Sequence, residues 1–403
     1  MDTLRRHQPT ALVVGAGAFG VVSALELAHR GFAVTILDRG PTPHPEASST
    51  DISKMLRMDY GSDVFYHELA EAALDIWDEW NRGWSRPLYH EEGFLVLAPG
   101  QMRAGGFEYE SHRVLTERGY KPQRVDSAYM ARHHPEWSSD RYPDGYMSPR
   151  GGWAESGAVV ADLLQQCVDS GVQTRTGTFV RLLSHGSRVS GALVRTGHSE
   201  QTIKADSVVL CAGAWTPSLA PWLSEVMRAV AQPVVHFAVN RTESFGGSAF
   251  PPFSADISGS GWYGFPVLAD GRFKLGHHSD GLVVDPSQRG TVGPGHIEKA
   301  RDFLRESIPS IAEAPVIGSR ICLYCDSIDG DLLLDRDPER EGLVVAAGGS
   351  GHGFKFTPMI GKIVADAVEG RASRWQSRFC WRTDGSGRVE EARHQTINSQ
   401  EGP

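Results

Sequence analysis

Hydrophobic and polar positions follow several rhythms along this chain, and the changes of rhythm mark its organisation. An apolar run from Ala11 to Val14 reads as a buried parallel strand. It breaks at Gly15-Ala16-Gly17-Ala18-Phe19-Gly20; Val21, Leu25 and Ala28 then recur at helical spacing, and a second apolar run, Phe32 to Leu37, ends at Asp38. The polar stretch Ser48, Ser49, Thr50, Asp51 is predicted to cap a helix that carries Lys54 and Arg57 on one face. A helix follows over 65–84, with a core stripe of Leu69, Ala73, Ile76, Trp77 and Trp80. A strand is predicted over 89–97, a helix end at 114–119, a short connecting helix within 125–140, a loop over 146–153 around Gly151-Gly152, and a helix over 156–170. Segments 172–180, 188–195 and 207–212 read as strands.

From about Pro233 the pattern alternates, as in antiparallel strands, over 234–239, 261–267 and 271–278. A charged helix is predicted over 295–307, a buried strand over 342–347, a glycine-rich turn over 348–353 and a helix over 357–369. Residues 383–403 are polar and aperiodic and are expected to be a disordered tail. The parallel β/α material thus falls in three pieces, 1–88, 150–225 and 320–382, and the antiparallel material in the gaps, 89–149 and 226–319. The expected fold class is α/β, a Rossmann-like domain interleaved with an α+β domain built on a mainly antiparallel sheet.

Residues 11–39 carry the first chemistry. Gly15 permits a tight turn, Gly17 lets backbone approach a pyrophosphate, and Gly20 allows close helix–strand packing. Asp38, eighteen residues after Gly20, can accept hydrogen bonds from a ribose. The helix start offers unpaired N–H groups and a positive dipole end to phosphate. These features imply a dinucleotide without choosing between NAD and FAD. A signal peptide or membrane span is the bland reading of the same apolar stretch; its glycines, Glu26 and immediate continuation into another strand oppose it.

At 403 residues two domains are expected. A net charge of −9 opposes a nucleic-acid partner. Five scattered cysteines, Cys167, Cys211, Cys322, Cys325 and Cys380, suggest reduced thiols in a cytoplasmic protein. Cys322 and Cys325 form a CxxC, but no second pair completes a zinc site, so no metal is expected.

Seven stretches occur in a familiar order: VVGAGAFGVVSALELAHRG, STDISKMLRMDYG, VLCAGAWT, WYGFPV, FKLGHH, CLYCDS and AAGGSGHGFKFTPMIGK. Across residues 11 to about 370 the chain resembles the flavin-dependent amine oxidases of the monomeric sarcosine oxidase and fructosyl amino acid oxidase (amadoriase) group, within the D-amino-acid-oxidase-like family. The resemblance implies FAD, with 1–88, 150–225 and 320–382 as the FAD-binding domain and 89–149 and 226–319 as the substrate domain. The FAD would be held by Gly15, Gly17, Ala18, Phe19, Gly20, Asp38, Arg39, Ser49, Ser53 and Lys54. Cys211, Ala212, Gly213 and Trp215 would add a second edge, and Gly349, Gly351, His352, Gly353, Phe354 and Lys355 the flavin end.

By the same resemblance Arg57 and Lys355 would hold a substrate carboxylate, as suits a guanidinium fork and an ammonium. Tyr263 and His278 would line the pocket, with His277 as an alternative or either histidine merely structural. Lys274 would activate oxygen by stabilising developing negative charge, and Cys322, with Cys325 as the alternative, would carry a thioether to the flavin. Lys54 stands where sarcosine oxidases have arginine; DISK looks like the amadoriase version, whereas FKLGHH and GHGFKF look closer to sarcosine oxidase. Loops 99–112 and 241–260 match nothing in the group and are expected to shape the pocket mouth.

The implied activity is oxidation of a secondary amino acid, N-alkyl or cyclic, to an imine, with O2 reduced to hydrogen peroxide. The protein would be a monomer with no membrane partner. The alternatives are a fructosyl amino acid oxidase, a dehydrogenase passing electrons to another acceptor, a biosynthetic enzyme that uses the imine for cyclisation or aromatisation, and a non-catalytic flavin binder.

Overall fold

The computed structural model describes residues 8–384; the expected tail at 383–403 therefore lies almost wholly outside the described residues. The chain divides into two compact units. Of the described residues, the first unit takes 8–54, 155–229 and 324–384, and the second takes 55–154 and 230–323. The helix Val64–Gly83 accordingly belongs to the second unit.

The first unit is built on a six-stranded sheet in the order Leu333–Arg336, Leu343–Ala347, Ser207–Leu210, Thr10–Val14, Ala33–Asp38, Gln173–Thr176. All neighbours are parallel except the first pair. The fully buried runs Leu12–Val14 and Val208–Leu210 suit strands covered on both faces. Helix Ala18–His29 packs on helix Thr357–Glu369 so closely that a Cβ on Gly361 would lie 2.5 Å from the Val22 carbonyl oxygen. Arg30 joins these helices through 2.7 Å contacts to both Asp366 and Glu369. Thr357–Glu369 starts with a proline in its first turn and stops at Gly370, whose φ of 71° is a left-handed helix stop.

The second unit holds a nine-stranded, mainly antiparallel sheet. Its alternation is strict where the register is clean. Phe273, Leu275, Phe253, Ala255, Leu95 and Leu97 point into one aromatic-rich core with Phe303 and Leu304 of helix Pro294–Ser307. The intervening positions lie on the opposite face, where Gly276, Tyr263, Ser254, Val96 and Tyr146 form one cross-strand row. Lys274, two residues before Gly276, shares that face.

Three local expectations are corrected. Lys54–Leu56 is a short strand, not part of a helix, in a small sheet with Gly152–Ala154 and Tyr89–His90. Buried Leu56 and the close approach of Gly151, whose Cβ would lie 2.7 Å from the Leu56 carbonyl oxygen, outweigh the capping signal. In an extended chain, positions 54 and 57 alternate in side rather than sharing a helix face. The segment 146–153 is likewise strand, Asp144–Ser148 then Gly152–Ala154, rather than loop. The single strand expected over 89–97 is two strands in different sheets, Tyr89–His90 and Phe94–Ala98. Between them Gly93, at φ 78°, turns the chain.

Among the described residues no helix is long and apolar enough to cross a membrane, and no group of His, Cys, Asp and Glu is placed to hold a metal. All five cysteines are free thiols.

Candidate functional site

In the first unit the glycine fingerprint is explained by contact. Gly15 has φ 103°, and a Cβ on it would lie 2.4 Å from the Cys211 carbonyl oxygen. A Cβ on Gly20 would lie 1.8 Å from the Gly15 carbonyl oxygen, so the turn closes only with glycine at both positions. Gly17 is the helix N-cap in extended backbone, and its added Cβ would meet nothing closer than the Ser49 hydroxyl at 3.3 Å. Asp38 clasps the turn: its carboxylate accepts from the Ala16 N–H at 2.8 Å and the Gly40 N–H at 3.2 Å. The Ser49 hydroxyl accepts from the Ala18 N–H at 3.2 Å. Among the described residues the N–H groups of Gly17 and Phe19 have no acceptor, which leaves the helix start open to an anion.

Nearby positions in this unit are partly engaged. The Arg39 guanidinium lies 4.4 Å over the Trp215 ring and pairs with Glu46. Lys54 lies 3.7 Å from the Asp51 carboxylate, and Ser53 is fully buried. Cys211 continues the strand Ser207–Leu210, its N–H donating to Val14, and burial pushes its thiol up to about 12. Gly213, at φ 53°, follows Ala212 into a short helical turn.

The C-terminal glycine segment packs on side chains. A Cβ on Gly351 would lie 2.3 Å from the Tyr324 ring, and one on Gly353 would lie 2.8 Å from the Phe19 ring. The N–H groups of Ser350, His352 and Gly353 are engaged within the unit, by Cys325 and Gly349 carbonyls. Among the described residues those of Gly349 and Gly351 have no acceptor. Buried Ser350, at φ 43°, accepts the Ser327 N–H and donates to the Gly348 carbonyl, which fixes the turn. His352 contacts the Gly330 carbonyl at 2.9 Å through Nε2, and Phe354 follows in the short helical turn Gly353–Phe356. Lys355 is 4% exposed, and its ammonium donates to the His352 carbonyl at 3.0 Å. It is no surface lysine.

In the second unit Arg57 stands out for what holds it. Its guanidinium lies 4.9 Å over the Tyr60 ring and 5.8 Å over Phe107, and its Nη1 is buried without a hydrogen-bond partner. Among the described residues it makes no ion pair. Arg150 differs, with carboxylates at 2.9 and 2.7 Å from its two terminal nitrogens. A buried guanidinium nitrogen left unsatisfied is costly unless an anion completes it. Phe107 also packs with Ile257 against Tyr263. The Tyr263 ring leans over Gly276, whose missing Cβ would lie 2.4 Å from it.

Lys274 is 1% exposed on the same sheet face, its ammonium 4.6 Å from the Phe265 ring centre. His278 is buried, with its N–H on the Gly261 carbonyl; His277 contacts the Ser260 carbonyl at 2.7 Å through Nε2 and lies beside Trp262. Cys322 is buried in the second unit, while Cys325 belongs to the first. Cys325 sits in the apolar core, where burial pushes its thiol up to about 12.

Within the first unit, the N–H groups left open at the helix start and the Asp38 carboxylate beside the glycine turn suit the phosphates and ribose of a dinucleotide. The family description "FAD dependent oxidoreductase" (DAO) matches residues 10–367. The chain belongs to the DAO family of FAD-dependent oxidoreductases. Within this family it is 26% identical to the monomeric sarcosine oxidase of Bacillus sp. (strain B-0618), over 91% of this chain and 94% of that one. It is 27% identical to the N-methyl-L-tryptophan oxidase of Salmonella arizonae, over 88% of this chain and 93% of that one. In fold it is similar to fructosamine oxidase (Amadoriase II) from Aspergillus fumigatus, with a TM-score of 0.81 over 97% of this chain and 94% of that one, at 24% identity. Fructosyl peptide oxidase from E. terrenum gives a TM-score of 0.82 over 96% of each chain, at 21% identity.

Sequence reasoning missed the aromatic faces around Arg57. Tyr60 was visible three residues downstream of it, but Phe107 falls in the stretch 99–112, expected as a loop and matching no motif, where the structure instead begins the helix Phe107–Glu117. It also missed the buried pair beside them, in which the Tyr146 hydroxyl donates to Asp59 at 2.6 Å.

Proposed function

We propose that this DAO-family protein oxidises a secondary amino acid, N-alkyl or cyclic, at the carbon next to nitrogen, with O2 as acceptor and hydrogen peroxide as product. The carrying observation is Arg57, a half-buried residue whose guanidinium lies against aromatic faces and whose Nη1 is buried without a hydrogen-bond partner. The curated relatives named above, an N-methylglycine oxidase and an N-methyltryptophan oxidase by their names, support a substrate with a carboxylate and a secondary amine.

FAD bound here would supply the acceptor for a hydride from the carbon next to nitrogen and the route for its electrons to oxygen. Gly15, Gly17, Ala18, Phe19, Gly20, Asp38, Arg39, Ser49, Ser53 and Lys54 are assigned to its ADP half. Cys211, Ala212, Gly213, Trp215 and the segment Gly349 to Lys355 are assigned to the rest. Arg57 receives the carboxylate, with Lys355 as the second cation assigned to it. Tyr263 and His278 contact the substrate. Lys274, almost fully buried, would present a positive charge to oxygen as it gains an electron. Cys322 is assigned the thioether to the flavin; the core position of Cys325 favours this choice. A low-dielectric pocket lowers the amine pKa by desolvation, so no side chain has to act as a strong base. The protein is proposed to work as a monomer in a reducing, cytoplasmic setting, in keeping with its free thiols.

The test is an absorbance spectrum followed by an anaerobic panel: N-methylglycine, N-methyl-L-tryptophan, L-proline and fructosyl-glycine. Bleaching by one of the first three, with peroxide formed on admitting air, is expected. Bleaching by fructosyl-glycine alone would replace this reading with the amadoriase one, which Lys54 favours. A flavin that no amine bleaches would overturn both.

A further inference from the structure

Arg57 is followed by a tight reversal, Met58 to Ser62, and the structure shows what keeps that reversal in shape. Gly61 sits at its apex with φ 56°, a left-handed conformation. Its N–H donates to the Ser111 hydroxyl at 2.7 Å, and its carbonyl faces His67 Nε2 at 3.3 Å. The Asp63 N–H donates to the Tyr60 carbonyl at 2.9 Å, and Asp59 accepts from Tyr146. Tyr60 therefore has a fixed place. Its ring stacks on Tyr66 at 4.9 Å, meets the His67 ring edge-on at 6.4 Å, and has the Arg57 guanidinium 4.9 Å over it.

His67 is 1% exposed on helix Val64–Gly83. Because a carbonyl can only accept, its Nε2 must carry the proton. Its Nδ1 is buried without a hydrogen-bond partner. A leucine would fill the same space without that unsatisfied nitrogen, so packing alone does not account for histidine here. What the imidazole adds is the N–H aimed at the Gly61 carbonyl.

We propose that His67 is a positioning residue for the carboxylate site: its Nε2–H holds the Gly61 carbonyl, and through Gly61 and Tyr60 it sets the orientation of the Arg57 guanidinium. The inference rests on the reading of Arg57 as the group that binds the substrate carboxylate. In this role His67 would act through Gly61 and Tyr60, not by touching substrate or cofactor. It must stay neutral, since an imidazolium would place a cation against Arg57; burial, followed by Arg118 and Arg57, pushes its pKa down to about 4.

The test uses the holoenzyme and two inert probes, propionate and the uncharged propionamide, titrated by calorimetry. His67→Leu is expected to weaken propionate about tenfold, the loss of one charge-assisted contact, and to leave propionamide unchanged. The limiting rate of anaerobic flavin reduction should be unchanged, so the effect falls on KM and not on kcat. His67→Gln, whose amide N–H can reach the same carbonyl, should bind propionate within about twofold of wild type. In an Arg57→Met background, His67→Leu should have no further effect, because the two residues act as one unit. Wild-type propionate binding by His67→Leu would overturn the proposal, as would equal weakening of both probes or additivity with Arg57→Met. If His67→Leu does not fold, His67→Asn, whose shorter amide stops short of the carbonyl, is compared with His67→Gln by the same readings. Failure of the reading beneath it has a separate signature: Arg57→Met would then bind propionate as well as wild type, and both assignments would fall.

Discussion

Arg57 and Lys274 show two ways of keeping a cation out of water. Arg57 lies against the rings of Tyr60 and Phe107 and keeps a fork nitrogen unsatisfied; Lys274 is almost fully buried against Phe265. Each such placement costs desolvation; on the proposed function, an anion at Arg57 and developing negative charge near Lys274 would return part of that energy. Arg57→Met should raise KM for a carboxylate substrate by roughly two orders of magnitude, the loss of a bidentate charge-assisted pair, with little change for an uncharged amine. Steady-state kinetics on an acid and its amide would check this. Lys274→Met should slow reoxidation of the reduced flavin by O2 by at least about a hundredfold, and slow anaerobic reduction far less. Stopped-flow traces of the two half-reactions decide it, and equal slowing of both would remove Lys274 from oxygen chemistry. Cys322→Ser should release FAD into the supernatant on acid precipitation; flavin retained in the pellet would point to another anchor.

At the scale of elements, the unit from Thr10 to Asp38 was legible because its signals are local. A strand, a glycine turn, a helix and a second strand follow one another with the spacing that their own geometry demands, and the contacts at Gly15 and Gly20 are made within that unit and to Cys211. Gly20→Ala would press a methyl into the Gly15 carbonyl oxygen, a 1.8 Å contact between backbone segments that cannot swing aside. We expect a loss on the order of 3 kcal/mol in unfolding free energy, together with less FAD incorporated per polypeptide, measured by urea titration and by the flavin-to-protein absorbance ratio. The stretch around Lys54 failed for the opposite reason. Its Ser-Ser-Thr-Asp start is a sound local helix signal, but pairing in the small sheet, with Gly151 pressed against Leu56, is a partnership across about a hundred residues. The glycines at 351 and 353 read as a backbone approach to cofactor, yet each is also required by a ring, Tyr324 or Phe19, resting where its Cβ would be.

Among the described residues, one core packs around the parallel sheet and another under the antiparallel sheet. The acid stability of the whole molecule has a traceable component. The unfolded chain protonates a histidine near 6.5, whereas folded His67 does so only at about 4. Unfolding therefore takes up a proton in that window, and stability falls as pH drops from 6.5 to 4, by about 3 kcal/mol for a gap of that size. Glu92 and Glu108, which burial holds above the usual carboxylate range, act in the opposite sense. A comparison that cancels them is the useful one. Between pH 6.5 and 4, wild type should lose more stability than His67→Gln, by about that amount, in chemical denaturation. Equal losses would mean that His67 is protonated in the folded state.

By itself the sequence determined the dinucleotide unit, the alternation of the second sheet and the family, because each depends on residue spacing within a short segment or on an ordered set of motifs. It named Arg57, Lys274 and Lys355 by resemblance but could not say what surrounds them. Tertiary structure decided that Arg57 is held by aromatic faces, that Lys54 opens a strand, and that Cys325 belongs to a core while His67 supports a turn. Those outcomes depend on which distant backbones approach closely enough to exclude water, a quantity that no local pattern of side chains encodes.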